Sequence, residues 1–520
     1  MRKLFYFILI ISTGGIFACK KDKVDGNNNP PPPTNPSDTA SAKFELTQDS
    51  IYLYAKEIYY WNNSLPDYRA FNPRQYTLGS TDLDKFTSEI DAYTQLSKNP
   101  ANHNLPYEYD FFNPGSSKYS FIDDGEVDGE LNATRGDFGF NYFYNSYTDL
   151  RVSLVYPNSP AATAGLKRGD EIIAINNNDN IYITSNFDDP ANDPGYKFVS
   201  NALNQGSTVT LQIRNSAGTK TVNLDSKTYT VNPIIYTNTY TLSNSRVAGY
   251  MVFNSFISNI HSQLDAVFSN FAAKHVTDLI IDLRYNGGGD VETSSYLSNL
   301  IAPSSANGSV MNTTYWTANL QNDNYPLLKK KISKPAGWFK STNSAQIERF
   351  AKAGAVNVTR VFFLVTGNTA SASELTINNL KPKMDVQLIG DTTYGKPVGF
   401  LSKLIINGHY LYTPEFETKN SAQEGGYYAG MPPKGTTTTG GTYNGKQIYE
   451  DIVTDFGDKN ETLLHQAIKY IETNAYPASS NLTIQSLSTT RGRPMTLYQR
   501  RVLSSKVQPN RTNSMFINLK

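Results

Sequence analysis

The stretch "VFFLVTGNTASASEL", residues 361–375, decides how the rest of this chain is read. Val361 to Val365 form a continuous apolar run bounded by a turn. That pattern belongs to a strand buried on both faces, as in a parallel sheet covered by helices. Thr366 to Ala370 supply the turn, and Glu374 to Lys381 supply about two turns of helix, at roughly 1.5 Å per residue. A serine, Ser371, stands where strand gives way to helix. No histidine lies nearby to activate it.

Two further segments share this layout. Leu279 to Leu283 runs into "RYNGGGD" (284–290), and Val386 to Ile389 runs into "GDTTYGKPVG" (390–399). In an open α/β sheet, parallel strands present their carboxyl ends at one edge, where ligands bind. The three loops are therefore expected to meet, with Ser371 and Lys396, 25 residues apart, at neighbouring strand ends.

Lysine can replace histidine as a base only when neutral. Bringing its pKa from about 10.4 to about 7 costs roughly 4 to 5 kcal/mol, which burial can supply. Tyr394, Gly395, Pro397, Val398 and Gly399 bring no carboxylate that would hold the ammonium charged. A helix N-terminus favours a developing oxyanion. The backbone N–H of Ala372, with one from Gly287 or Gly288, is the natural donor pair.

"DLRYNGGG", "TASASE" and "TYGKPVG" together resemble the C-terminal processing peptidases of family S41, as do "GMPPK" (430–434) and "DFGDKNETLLHQAIKYI" (455–471). The resemblance runs from roughly residue 50 to 475. It implies a PDZ domain ahead of a Ser/Lys peptidase domain of the ClpP/crotonase-like type, with Ser371 as nucleophile and Lys396 as base. Thr369 and Ser373 become packing or capping neighbours. Many members carry a glutamine four residues after the lysine; here that position is Phe400, which leaves the group that orients the amine unassigned among Glu415, Glu417, a backbone carbonyl, Thr393 and Tyr394.

Residues 136–228 alternate apolar and polar in short runs, "RVSLVY", "EIIAIN", "TVTLQIRN" and "KTVNL", which indicates a compact β module. "GDFGF" (136–140) and "SPAATAGLKRGDEIIAIN" (159–176) resemble a PDZ domain. That resemblance places a peptide-carboxylate loop at Phe138, Gly139 and Phe140. Successive N–H groups can cradle a carboxylate while an open strand edge takes an extended peptide. Two Arg-Gly-Asp triplets, 135–137 and 168–170, fall inside this pattern and are read as part of it.

A chain of 520 residues has room for several domains. The class expected is multi-domain α/β (α+β): a small helical region at 46–135, the β module at 136–228 and the peptidase domain at 229–475. Helices are expected from Leu46 to about Asn62, with Asp49-Ser50 as cap, and around 80–97. The acidic stretch 123–130 lacks the ligand spacing of a calcium loop and reads as a solvated turn.

Arg2 and Lys3 precede an apolar run, Leu4 to Phe17, followed by Ala18 and Cys19, the layout of a secretory signal (1–18). The segment resembles a bacterial lipoprotein signal, which makes Cys19, the sole cysteine, the lipidated residue and places the protein on the cell envelope. "NNNPPPPTNP" (27–36), within 19–45, reads as a semi-rigid tether. Residues 476–520 hold seven Lys or Arg and no Asp or Glu, and read as a flexible or loosely docked basic tail.

Lys+Arg number 47 against 46 Asp+Glu, so charge gives no argument for nucleic acid. The five histidines, 103, 261, 275, 409 and 465, show no metal-like pairing, and no metal or cofactor is called for. The expected partners are protein or peptide substrates and, through the lipid, a membrane. A binding lipoprotein on the same fold, without catalysis, is the alternative.

Overall fold

The computed structural model describes residues 40–111, 113–185, 192–401, 404–477, 515–517 and 519. The signal, Cys19 and residues 19–39 of the expected tether lie outside them, while 40–45, also read as tether, belong to the first helix, Ala40–Ile58.

A seven-stranded sheet forms the centre. Its order is Ile234–Thr241, Val247–Phe253, Asp278–Asp282, Arg360–Val365, Asp385–Gly390, Gly441–Gln447 and Gly435–Thr437. The inner five run parallel, and the two edges are antiparallel hairpin partners. Register places Leu279 beside Val361 and Val361 beside Val386. The three apolar runs are therefore adjacent strands ending at one edge, as the sequence predicts.

Successive side chains of a strand point to opposite faces, and both faces here are dry. Leu279, Ile281, Val361, Phe363, Val365 and Leu388 join one core with the helices His261–Ala273, Val291–Ile301 and Ala372–Leu380. Ile280, Phe362, Leu364 and Ile389 join another with Leu463, Leu464, Ala467 and Ile468 of the helix Thr462–Thr473. That double burial is why these strands carry apolar residues at nearly every position.

A second, six-stranded sheet runs Gly289–Asp290, Met515–Ile517, Val398–Leu401, Phe416–Asn420, Val310–Trp316, Ile347–Arg349. It brings the glycine loop, the strand after Lys396 and the C-terminal end of the chain together. Within the segment read as a loosely docked tail, Met515 and Phe516 are buried strand residues.

The five-stranded module comprises Phe140–Ser146, Asp149–Val155, Glu171–Ile175, Thr208–Asn215 and Gly218–Asp225 in that order, with the helix Pro194–Asn204 against it. Its Arg168 is anchored in the larger domain. The guanidinium donates to Tyr285 Oη at 2.7 Å and to the carbonyls of Asp451 and Thr454. The second Arg-Gly-Asp triplet thus carries a buried tie between domains. In the first, Arg135 and Asp137 pair with each other, and Arg135 also donates to Tyr156 Oη.

The helical region corrects one cap. The first helix, Ala40–Ile58, contains Asp49 rather than starting at it. Asp49 is buried mid-helix because Arg74 and Tyr68 hydrogen-bond its carboxylate. The second helix is Asp82–Thr94, with Thr81 and Asp84 forming a capping box. Ile51, Tyr52, Phe86, Ile90 and Tyr93 share the main core with the central sheet.

The acidic stretch closes into a short helix, Glu126–Leu131, whose entry is held by Asp123 accepting the N–H groups of Gly125 and Val127. Among the described residues no His/Cys/Asp/Glu group is arranged to hold a metal ion. No helix among them is long and apolar enough to cross a membrane.

Candidate active site

Ser371 sits at φ 60°, ψ −111°, a left-handed conformation unfavourable for any residue bearing a Cβ. Its surroundings impose that conformation. Ala370 N–H donates to Asn286 O, Ser373 Oγ donates to the same carbonyl at 3.0 Å, and Thr369 Oγ1 donates to Leu283 O at 2.8 Å. The flanking hydroxyls therefore tie the serine turn to the glycine loop and leave Ser371 as the residue between them. Its Oγ is buried and makes no hydrogen bond. No hydrogen bond joins it to Lys396 in this structure.

What joins the two is Glu374, whose role the sequence did not reveal. Its Oε2 accepts the N–H of Ser371 at 2.9 Å and of Lys396 at 2.8 Å. Its Oε1 accepts the N–H of Gly395 at 2.8 Å and Thr393 Oγ1 at 2.5 Å. Tyr394 N–H adds a bond to Thr369 O. One fully buried carboxylate thus fixes both loops. Burial pushes its pKa up while these four donors pull it down.

Lys396 is 1 % exposed. Its Nζ lies 3.8 Å from the centroid of the Phe400 ring and 5.6 Å from that of Tyr119. Phe400 therefore presents an aromatic face where an amide would stand. Burial holds the amine well below the ordinary lysine range, and the nearby Lys118 pushes the same way.

The carboxyls of Glu108, Glu374 and Glu415 oppose the shift. This corrects the carboxylate-free environment read from the local sequence, because all three arrive from other segments. Their pull is limited by their own burial. Glu415 is raised well above the ordinary carboxyl range, and Glu108 is raised while spending its lone pairs on Tyr119 N–H, Ser120 N–H and Ser120 Oγ.

Lys118 was likewise invisible in the motifs. Its Nζ donates to the carbonyls of Tyr394, Gly395 and Tyr428, each at 3.2 Å, which pins the turn that carries Lys396. Desolvation pushes its pKa down to about 8.

Of the expected oxyanion donors, Gly288 is engaged, since its N–H donates to Asn286 Oδ1 at 2.9 Å. The N–H groups of Ala372 and Gly287 have no acceptor among the described residues. Beneath the loop, Arg284 is fully buried between Asp282 and Glu461, both bridged at 2.8–3.0 Å. That triad explains the "DLR" of the motif as structural support.

In the smaller domain, Phe138 is buried and Phe140 begins the edge strand. Gly139 has φ +85°, and a Cβ there would fall 2.0 Å from Ser159 Cβ. Its N–H already donates to Asp137 Oδ1 at 2.7 Å. The carboxylate loop expected at 138–140 therefore has this donor occupied by the chain's own aspartate.

Comparison with known proteins agrees with this architecture. Residues 247–424 match the model of peptidase family S41 and residues 151–187 that of the PDZ domain. The chain thus carries a segment similar to peptidase family S41, with a segment similar to the PDZ domain ahead of it. It is 26% identical over 251 residues to a carboxyl-terminal-processing protease of Picosynechococcus sp., covering 48% of this chain and 50% of the relative. It is 27% identical over 254 residues to the carboxy-terminal processing protease CtpA of Bacillus subtilis, covering 48% and 45%. The chain thus aligns with about half the length of these relatives. A crystal structure of a Bacteroides fragilis protein assigned to the S41 proteases shares the fold, at 21% identity and TM-score 0.52, over 82% of this chain and 97% of that one.

Proposed function

We propose that the protein is a serine endopeptidase in which Ser371 is the nucleophile and Lys396 the general base. The observation that carries this reading is the single Glu374 oxygen shared by the backbones of Ser371 and Lys396, which keeps a strained serine and a buried, pKa-depressed lysine at adjoining loops. Neutral Lys396 takes the Ser371 proton as Oγ attacks the scissile carbonyl. The N–H groups of Ala372 and Gly287 donate to the resulting oxyanion. Lys396 then protonates the leaving amine, and a water, deprotonated by Lys396, hydrolyses the acyl-enzyme.

Substrates on this reading are proteins or peptides of the cell envelope, with the PDZ domain engaging their C-terminal tails. The protein is exported and held at the membrane by lipid on Cys19.

The non-catalytic reading draws on one observation, the absence of a hydrogen bond to Ser371 Oγ. A fluorogenic peptide with an apolar C-terminus separates the two. Cleavage that disappears in both Ser371→Ala and Lys396→Ala supports the peptidase; binding without cleavage in all three proteins supports a receptor.

A further inference from the structure

The C-terminal segment Met515–Ile517 lies between two strands that border the candidate site. It pairs in parallel with Gly289–Asp290 on one side (Gly289 beside Met515, Asp290 beside Phe516). On the other it pairs in parallel with the strand after Lys396 (Phe400 beside Phe516, Leu401 beside Ile517). Strands flanking a third stand roughly 9–10 Å apart, twice the usual spacing, and no other described segment bridges this pair.

Three features mark the gap as a peptide lane rather than ordinary sheet. Gly289 is two residues beyond Gly287, the candidate oxyanion donor. Phe400 touches both sides of the problem: one contact of its ring is Lys396 Nζ, at 3.8 Å, and another is the Phe516 ring, at 5.8 Å. The strand after Lys396 runs away from the lysine, so a peptide parallel to it points its upstream backbone toward Lys396 and Gly287.

Side chains have places as well. Phe516 packs among Phe400, Tyr412 and Val398. Beside it opens a cavity of about 390 Å³, lined by Asp290, Trp316, Trp338, Phe516, Ile517 and Leu519. Ser371 and Lys396 are 0 and 1 % exposed in this structure, in which the segment is seated.

We propose that the slot between Gly289–Asp290 and Val398–Leu401 binds extended peptides carrying an aromatic residue between aliphatic ones, and that the chain's own segment Met515–Ile517 occupies it as an intramolecular competitor. The catalytic consequence, restraint of cleavage by the seated tail, rests on the peptidase reading above; the binding claim does not.

The test is therefore a binding measurement on the full chain carrying Ser371→Ala, which removes turnover from the readout. A fluorescein-labelled peptide SMFINLK, the sequence of residues 514–520, is titrated by anisotropy against this protein and against the same protein with Phe516→Asp. At least tenfold tighter binding to the second is expected; equal affinities overturn the proposal. Hydrogen–deuterium exchange on the first protein needs no change in the tail. Saturating carbon-13-labelled SMFINLK should accelerate exchange of the 515–517 amides, and unaltered exchange overturns the proposal even if Phe516→Asp fails to fold.

Discussion

The backbone N–H of Ser371 and the backbone N–H of Lys396 end on the same oxygen, Glu374 Oε2, at 2.9 and 2.8 Å. A serine and a lysine on separate loops are thus located relative to one another by main chain rather than by a direct side-chain bond. The arrangement fixes where both side chains start.

Glu374→Gln tests this directly. A glutamine offers one acceptor oxygen and an NH2 group, so part of the set of four donors loses its partner. Each orphaned buried donor costs about 1–3 kcal/mol. We expect a lower Tm and at least a tenfold fall in kcat, read by thermal unfolding and by peptide hydrolysis, with KM changed less.

The pH profile follows from Lys396. The base form exists above its pKa, and burial depresses that pKa, so activity should rise with pH through a limb centred well below 10.5. Lys118 contributes to the depression as a like charge. Lys118→Met removes that contribution, so Lys396 must lose its proton at higher pH and the limb should move to the alkaline side. A limb unmoved in the folded variant would assign Lys118 to loop support alone.

Phe400→Ala removes a fully buried ring from beside the amine. Truncation of this kind costs about 3–5 kcal/mol, measurable by urea unfolding. Water entering the space favours the charged lysine, so residual activity should require higher pH than in the unaltered protein.

Arg168→Met cuts the tie between the PDZ domain and Tyr285, and leaves the carbonyls of Asp451 and Thr454 without this donor. The expected loss is about 3–5 kcal/mol, as for a buried charge partner removed. Protease sensitivity should appear around 450–455 and in the 168–170 turn, by limited proteolysis with mass spectrometry.

Much of this site was legible in the sequence, because the apolar runs at 279–283, 361–365 and 386–389 are continuous and each ends in a distinctive loop. Adjacent parallel strands then required those loops to meet. The roles of Glu374, Lys118, Glu108 and Glu415 were not legible, since each depends on a side chain crossing between segments rather than on a local pattern. Phe400 was visible as a departure, but its ring stacking on Lys396 depends on the fold. The tail strand escaped for another reason: "SMFI" is too short for periodicity to separate it from a polar, basic surrounding. Asp49 was misread as a cap because its partner, Arg74, lies 25 residues away.

The most direct test of the Ser371/Lys396 pairing is covalent labelling with a fluorophosphonate, followed by peptide mapping, in the full chain and in its Phe516→Asp form so that access is controlled. The expected result is one adduct on Ser371, forming faster as pH rises and lost in Lys396→Ala. An adduct on Thr369 or Ser373 instead, or labelling of Ser371 undiminished without Lys396, would contradict it.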